Sequence, residues 1–447
     1  MSRTRIVKGT YTKISHEGHS MYSNANIITN AGAAITETGE KDGVSYGDPK
    51  NPPAGEIKAK CIVMFRPHAN WSGEFGFDWL RAGDTGTKGD TWYRNIVGKY
   101  RNSSTNALQQ IYYGGTFVKE AAEYSKLLNK FSNMTIFWKP KVNKQPYLYP
   151  VPYMTIYKGD TQKLSLKIEI EEEPKKLTIV HLKGKDDKND YFKFNKDQIT
   201  IKKGKYTLDN FLEITCLKSF SRDQIIEVWA DDTVCGKIKI LANDAAHQKQ
   251  GKVLFIKVIS SSGTGSTTGE AERLKNYMKQ AYINVDVKSI NINLSSDANF
   301  IPKLRSNSGI HQYLDAKLRA AKFSDGSVVG NRYDDFYRVY FISEVIHLAS
   351  GGYLLGQAQD IPSKTVFVLN LQDTATTAGV PFESVKTTAT HELLHAIGLY
   401  HTFDNDGPLT FEKFHTDNIM DYYSQSTAII AKQTYKFYRV RTDGHGL

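Results

Sequence analysis

The sequence predicts a multidomain α+β chain in four parts: a leader over residues 1–54, a small α+β module over 55–144, a β-sandwich over 145–245 and an α/β domain over 246–447. Three observations predict it. Strand-like alternation fills residues 145–245 with no helical period. Strand and helix patterns alternate from Val253 onward. A helix late in the chain then carries His391, Glu392 and His395 within one turn.

Residues 1–54 are rich in Gly, Ser, Thr and Asn and include the turn-prone run Gly47-Asp48-Pro49-Lys50-Asn51-Pro52-Pro53, poor material for a core. The next module opens with a half-buried strand, in which Ile57, Ala59, Cys61, Val63 and Phe65 alternate with polar residues. Its aromatic density (Trp71, Phe75, Phe77, Trp79, Trp92, Tyr93) is that of a core rather than of a ligand platform. A helix over Thr116–Asn129 and a strand over Met134–Trp138 complete it. In the next hundred residues Leu164, Leu166, Ile168 and Ile170 alternate with Ser, Lys and Glu. Some seven such runs with turn-rich breaks predict an immunoglobulin-like sandwich serving as a spacer. Polar Asn243–Lys252 reads as the last hinge. After it come a buried strand at Val253–Ile259, a helix over Glu270–Ala281, strands at Val285–Ile292, Tyr337–Val345 and Thr365–Leu369, and a helix from Phe382 to Leu399. The loop Ser260–Gly269 lacks the Gly-Lys-Ser/Thr that closes a phosphate cradle.

The final helix carries the chemistry. His391 and His395 stand one turn apart on one face, so both imidazoles reach one ion. Glu392 leans toward the same point without ligating, which suits a general base acting on water. Gly398 lets the chain leave the helix through a backbone geometry that other residues resist, and His401 returns as a third nitrogen ligand. Three neutral imidazoles leave a tetrahedral Zn²⁺ one open position, the arrangement of a single catalytic ion.

The run His391-Glu392-Leu393-Leu394-His395-Ala396-Ile397-Gly398-Leu399-Tyr400-His401, followed by Asn418-Ile419-Met420-Asp421-Tyr422, resembles the metzincin clan of zinc endopeptidases, and within it the pappalysin branch. The resemblance implies a metzincin-like fold for residues 246–447 and hydrolysis of protein or peptide substrates. It also implies a packed, non-ligating floor at Met420 and, at Tyr422, a phenol near the metal that ligates the ion or stabilises an oxyanion; an ordinary buried aromatic is the alternative for Tyr422. By the same resemblance, an edge strand including Gly356 and Ala358 pairs with extended substrate backbone. Within the leader, Thr36-Glu37-Thr38-Gly39-Glu40 and Val44-Ser45-Tyr46-Gly47-Asp48 resemble leaders of bacterial effectors carried by contractile injection or type VI systems. That resemblance implies a toxin made in the bacterial cytoplasm and exported folded, with injection machinery and an immunity protein as partners.

Composition sets outer limits. The chain has 447 residues, 40% of them hydrophobic, and scattered lysines that give a net charge of +11. Such a surface is solvated, and no specific nucleic-acid partner is expected. No apolar run follows the basic start, so neither a general secretory signal nor a membrane span is expected. Cys61, Cys216 and Cys235 make no disulfide framework; Cys216 and Cys235 read as reduced core thiols before they read as a pair. A second function class remains open: a docking component of a secretion apparatus whose zinc domain is incidental, with residues 1–245 free of chemistry.

Overall fold

The computed structural model describes residues 60–71, 73–84, 91–140, 146–183, 189–348, 352–369 and 382–422. The leader lies outside the described residues, and so does the transport it was read to imply. Two sheets stack over one apolar core. The first runs Lys60–Pro67, Thr161–Glu172, Gly204–Cys216, Phe192–Phe194, all antiparallel. The second runs Phe77–Asp78, Tyr153–Met154, Thr233–Ile240, Gln224–Ala230, Leu177–Leu182, with one parallel pair between Tyr153–Met154 and Thr233–Ile240. Val63, Phe65, Leu164, Leu166, Ile226, Val228 and Ile238 fill the space between them. The sequence reading set a boundary at 144/145, but this ladder crosses it. Lys60–Pro67 is a strand as its alternation predicts, Phe77–Asp78 is a short strand that was read only as aromatic core, and what local pattern does not disclose is their distant partners.

All three cysteines are free and buried. Cys216 bonds with Asn243 and with the carbonyl of Lys218, whereas Cys235 lies against Cys61. The two thiols weighed as a pair are therefore not neighbours. Asn243, expected in a hinge, is fully buried: its Oδ1 accepts from the Phe220 amide at 2.8 Å and its Nδ2 donates to Ile156 O at 2.9 Å. A polar residue reads as a loop in sequence, yet a fully hydrogen-bonded one can anchor a core.

The α/β unit is a three-layer sandwich. Its sheet runs Ile283–Asn293, Lys249–Ser260, Tyr337–Ile342, Thr365–Leu369, Gly356–Ala358; only the last of these pairs antiparallel. Both faces are covered, so the central strands are apolar almost throughout, as buried parallel strands are. Val253 and Phe255 face the helices Glu270–Lys279 and Phe382–Ile397. Leu254, Ile256 and Val258 face Phe300–Ser306 and Ile310–Ala320. Among the described residues no helix is long and apolar enough to cross a membrane.

Residues 91–131 pack against the far end of the chain and, through Tyr153 and Leu241, against the edge of the second stacked sheet. Thr116–Lys119, expected as the start of a helix, is a strand; the helix begins at Ala121. Val97–Arg101 pairs with it on one side and with Thr410–Phe411 on the other. Tyr93, Ile96, Val97, Leu127 and Phe131 share a core with Leu409 and Phe411.

Candidate metal centre

The helix Phe382–Ile397 lies on the sheet through Ala389, Leu393, Leu394 and Ala396, and that packing fixes which way its other face points. His391 and His395 leave that face with ring centroids 4.8 Å apart. The helix stops at Gly398, whose φ is +118°. Gly398 N donates to the His395 and Leu394 carbonyls, and Leu399 N donates to Leu394 O at 2.9 Å, the paired bonds of a Schellman cap. The turn brings His401 back, 4.4 Å from the His395 ring and 5.3 Å from the His391 ring. One ligand atom from each of the three histidines lies within 4.8 Å of the others.

Every Nδ1 has a partner. That of His391 donates to Ile419 O at 2.6 Å, that of His395 to Leu399 O at 2.6 Å, and that of His401 to Asp404 Oδ2 at 3.0 Å. A neutral imidazole has one proton; with it on Nδ1, the Nε2 lone pair is free to ligate. Burial pushes His391 down to about 4 and, with the neighbouring rings, holds His395 and His401 well below the ordinary histidine range. All three are therefore neutral at pH 7. His395 Nε2 and His401 Nε2 stand 3.0 Å apart, two electron-rich nitrogens facing each other. Ligands sharing a tetrahedral zinc at ~2.0–2.1 Å are about 3.3–3.4 Å apart, so the donor set fits such an ion.

Glu392 takes the next position on the helix. Its Oε2 accepts from the Ala358 amide at 2.9 Å, and burial drives its carboxyl up to about 7. Gly356 stands against it: a Cβ there would meet Glu392 Cγ at 3.0 Å and Phe367 O at 2.9 Å, so the edge strand approaches the helix only because this residue has no side chain. Ala358 lies on the open edge of the sheet as the sequence reading has it, but its amide is engaged by Glu392. Met420 is buried in the same core as Leu393. Its amide donates to Asn418 Oδ1 at 2.8 Å and its carbonyl accepts from Thr402 N at 3.1 Å, which closes the turn under the site. Tyr422 follows, its ring 4.7 Å from His401 and 5.8 Å from His391. Burial, with the nearby carboxylates of Glu392, Asp404 and Asp421, pushes its pKa up to about 12, so it is protonated and able to donate.

Four contributors escaped the sequence reading. Asp404 accepts from both His401 N (3.1 Å) and His401 Nδ1. Asn405 bonds with Tyr100 N and O, Gln109 O and Gln110 Oε1, which staples the ligand loop to residues 97–110. Buried Arg81 reaches both oxygens of Asp417 at 3.2 Å. Tyr112 places its hydroxyl 3.1 Å from His401 Nδ1. A carboxylate three residues after a ligand was a findable signal; the other three act across hundreds of positions and leave no local trace.

No family model matches this chain, and no curated protein sequence does. Among solved structures it matches an archaemetzincin from Methanopyrus kandleri at 19% identity. The match covers 44% of this chain and 94% of that one, with a TM-score of 0.26. Similarity at that level does not establish a common fold.

Proposed function

We propose that this chain is a zinc-dependent endopeptidase of the metzincin type, with His391, His395 and His401 as the ligands of one ion. The observation that carries the reading is the facing pair of Nε2 atoms, both made lone-pair donors by the partners of their Nδ1 protons. A zinc ion held there would supply Lewis acidity toward water and toward a peptide carbonyl. Glu392, raised toward neutrality, takes the proton of the attacking water and passes it to the leaving amine. Tyr422 donates to the oxyanion. Substrate backbone lies along the open edge of Gly356–Ala358 by strand addition, ahead of Glu392.

The finer context belongs to the same proposal. The pappalysin-like motif supports membership of that branch, and in this reading the two-sheet unit is an immunoglobulin-like carrier and the leader delivers the protein as an injected bacterial effector. The alternative, a docking component with an incidental zinc domain, is disfavoured because Arg81, Gln109 and Tyr112 bond to the ligand-bearing end of the chain, so the part before residue 245 does not serve docking alone.

Zinc stoichiometry on purified protein, with a peptide-library digest in the presence and absence of chelator, tests the reading. Glu392→Gln is expected to retain metal and fold and to lose hydrolysis by orders of magnitude. Full activity in that variant would remove Glu392 from its role, and protein that stays metal-free after loading would remove the whole proposal.

A further inference from the structure

Tyr112 belongs to a short turn, Ile111–Tyr113, far from the ligand helix in sequence. The turn is held by the ligand loop itself: Asn405 N donates to Gln110 Oε1 at 2.9 Å, and Asn405 Nδ2 donates to Gln109 O at 3.1 Å. Its tyrosine then touches the third ligand along two routes. The hydroxyl stands 3.1 Å from His401 Nδ1. The ring meets Phe403 edge-on at 6.0 Å, and Phe403 is stacked on His401 at 4.7 Å with 10° between the planes. The same hydroxyl lies close to that of Tyr422.

Proton bookkeeping gives this chain of contacts a direction. The single Nδ1 proton of His401 lies between Asp404 Oδ2 at 3.0 Å and the Tyr112 oxygen at 3.1 Å, both acceptors. Tyr112 thereby keeps its own O–H to donate, and the neighbouring Tyr422 hydroxyl can receive it. A Tyr422 oxygen that accepts from Tyr112 keeps its own proton for another partner, and the Tyr422 ring borders both His391 and His401. A purely packed aromatic would not need the hydroxyl, and Tyr112 as a residue is 54% exposed, so apolar burial alone does not explain its place.

We infer that Tyr112 is a positioning residue of the metal centre, supplied by a segment outside the ligand-bearing unit: its hydroxyl fixes the His401 ring and orients the Tyr422 phenol as a donor. The inference rests on the metallopeptidase reading above. Its test uses the full chain with Tyr112→Phe, which removes one oxygen and keeps the ring, and Tyr112→Ala as a second variant. The readouts are zinc affinity by chelator competition, the visible absorption of the cobalt-loaded protein, and kcat and KM separately. Tyr112→Phe is expected to unfold at the parent temperature, to bind zinc about tenfold more weakly and to show a changed cobalt spectrum. It is also expected to lower kcat while KM holds, because Tyr422 acts only as charge develops. Tyr112→Ala is expected to exceed it in each readout. If the parent loads zinc and cleaves peptides while Tyr112→Phe matches it in affinity and spectrum, this inference fails and the metallopeptidase reading stands. If the parent itself takes up no zinc, both fail.

Discussion

Replacing Gly398 with alanine isolates what the helix stop contributes to the metal centre. At φ +118° the residue lies beyond the left-handed well that an L side chain tolerates. Space is not the obstacle, since an added Cβ would meet only Pro362 Cβ, at 3.9 Å. The cost is therefore backbone strain alone, about 1–3 kcal/mol. The chain has two ways to respond. It can keep the geometry and lose that stability, which for a unit of ~200 residues lowers the melting temperature by about 2–12 °C. Otherwise it relaxes the turn, which moves Leu399 O away from His395 Nδ1 and His401 away from His395. Scanning calorimetry of metal-free protein reads the first response, and zinc affinity by chelator competition reads the second. An alanine variant with parental melting temperature and parental zinc affinity would refute the account of this turn.

Two other outcomes follow from the same geometry. Asp404→Asn keeps the shape but removes the charge behind His401; zinc affinity is expected to fall about 10–100-fold, measured by competition with a chelator. Acid should destabilise the metal-free protein through its histidines. Burial holds His391 at about 4 when folded against an ordinary value of 6.5, so between those values the unfolded chain binds more protons. The contribution is complete above about pH 6.5 and is lost as pH falls through about 4. Urea midpoints at pH 7.5, 5.5 and 4 measure it, and a His391→Gln chain with the same slope as the parent would contradict this source.

What could be read from the chain divides by sequence distance. The ligand set was legible because its geometry is local: helical spacing aligns His391 with His395, and one glycine turns the chain toward His401. The strand at Thr365–Leu369 was legible because burial on two faces leaves an apolar run, and the one at Ile283–Asn293 because Val285, Val287 and Ile290 stand among polar residues as on a half-buried edge strand. The start of the helix at Ala121 was not, because Thr116–Lys119 owes its extended form to pairing with Val97–Arg101. Tyr112 and Arg81 were not, since a tyrosine or an arginine carries no mark of the loop it will meet. Asn243 illustrates the reverse error, a polar residue mistaken for a flexible one because its partners Phe220, Ile156 and Cys216 come from elsewhere in the fold.

The small sheet that joins Val97–Arg101 to Thr410–Phe411 brings together backbone made at very different moments, with Lys99 and Thr410 separated by 311 positions. A ribosome working through this gene finishes the two stacked sheets long before it reaches His401. The wall bearing Tyr112 must then wait, exposed, for its counterpart to emerge. The metal centre is therefore complete only once both of these distant segments have been made and have met.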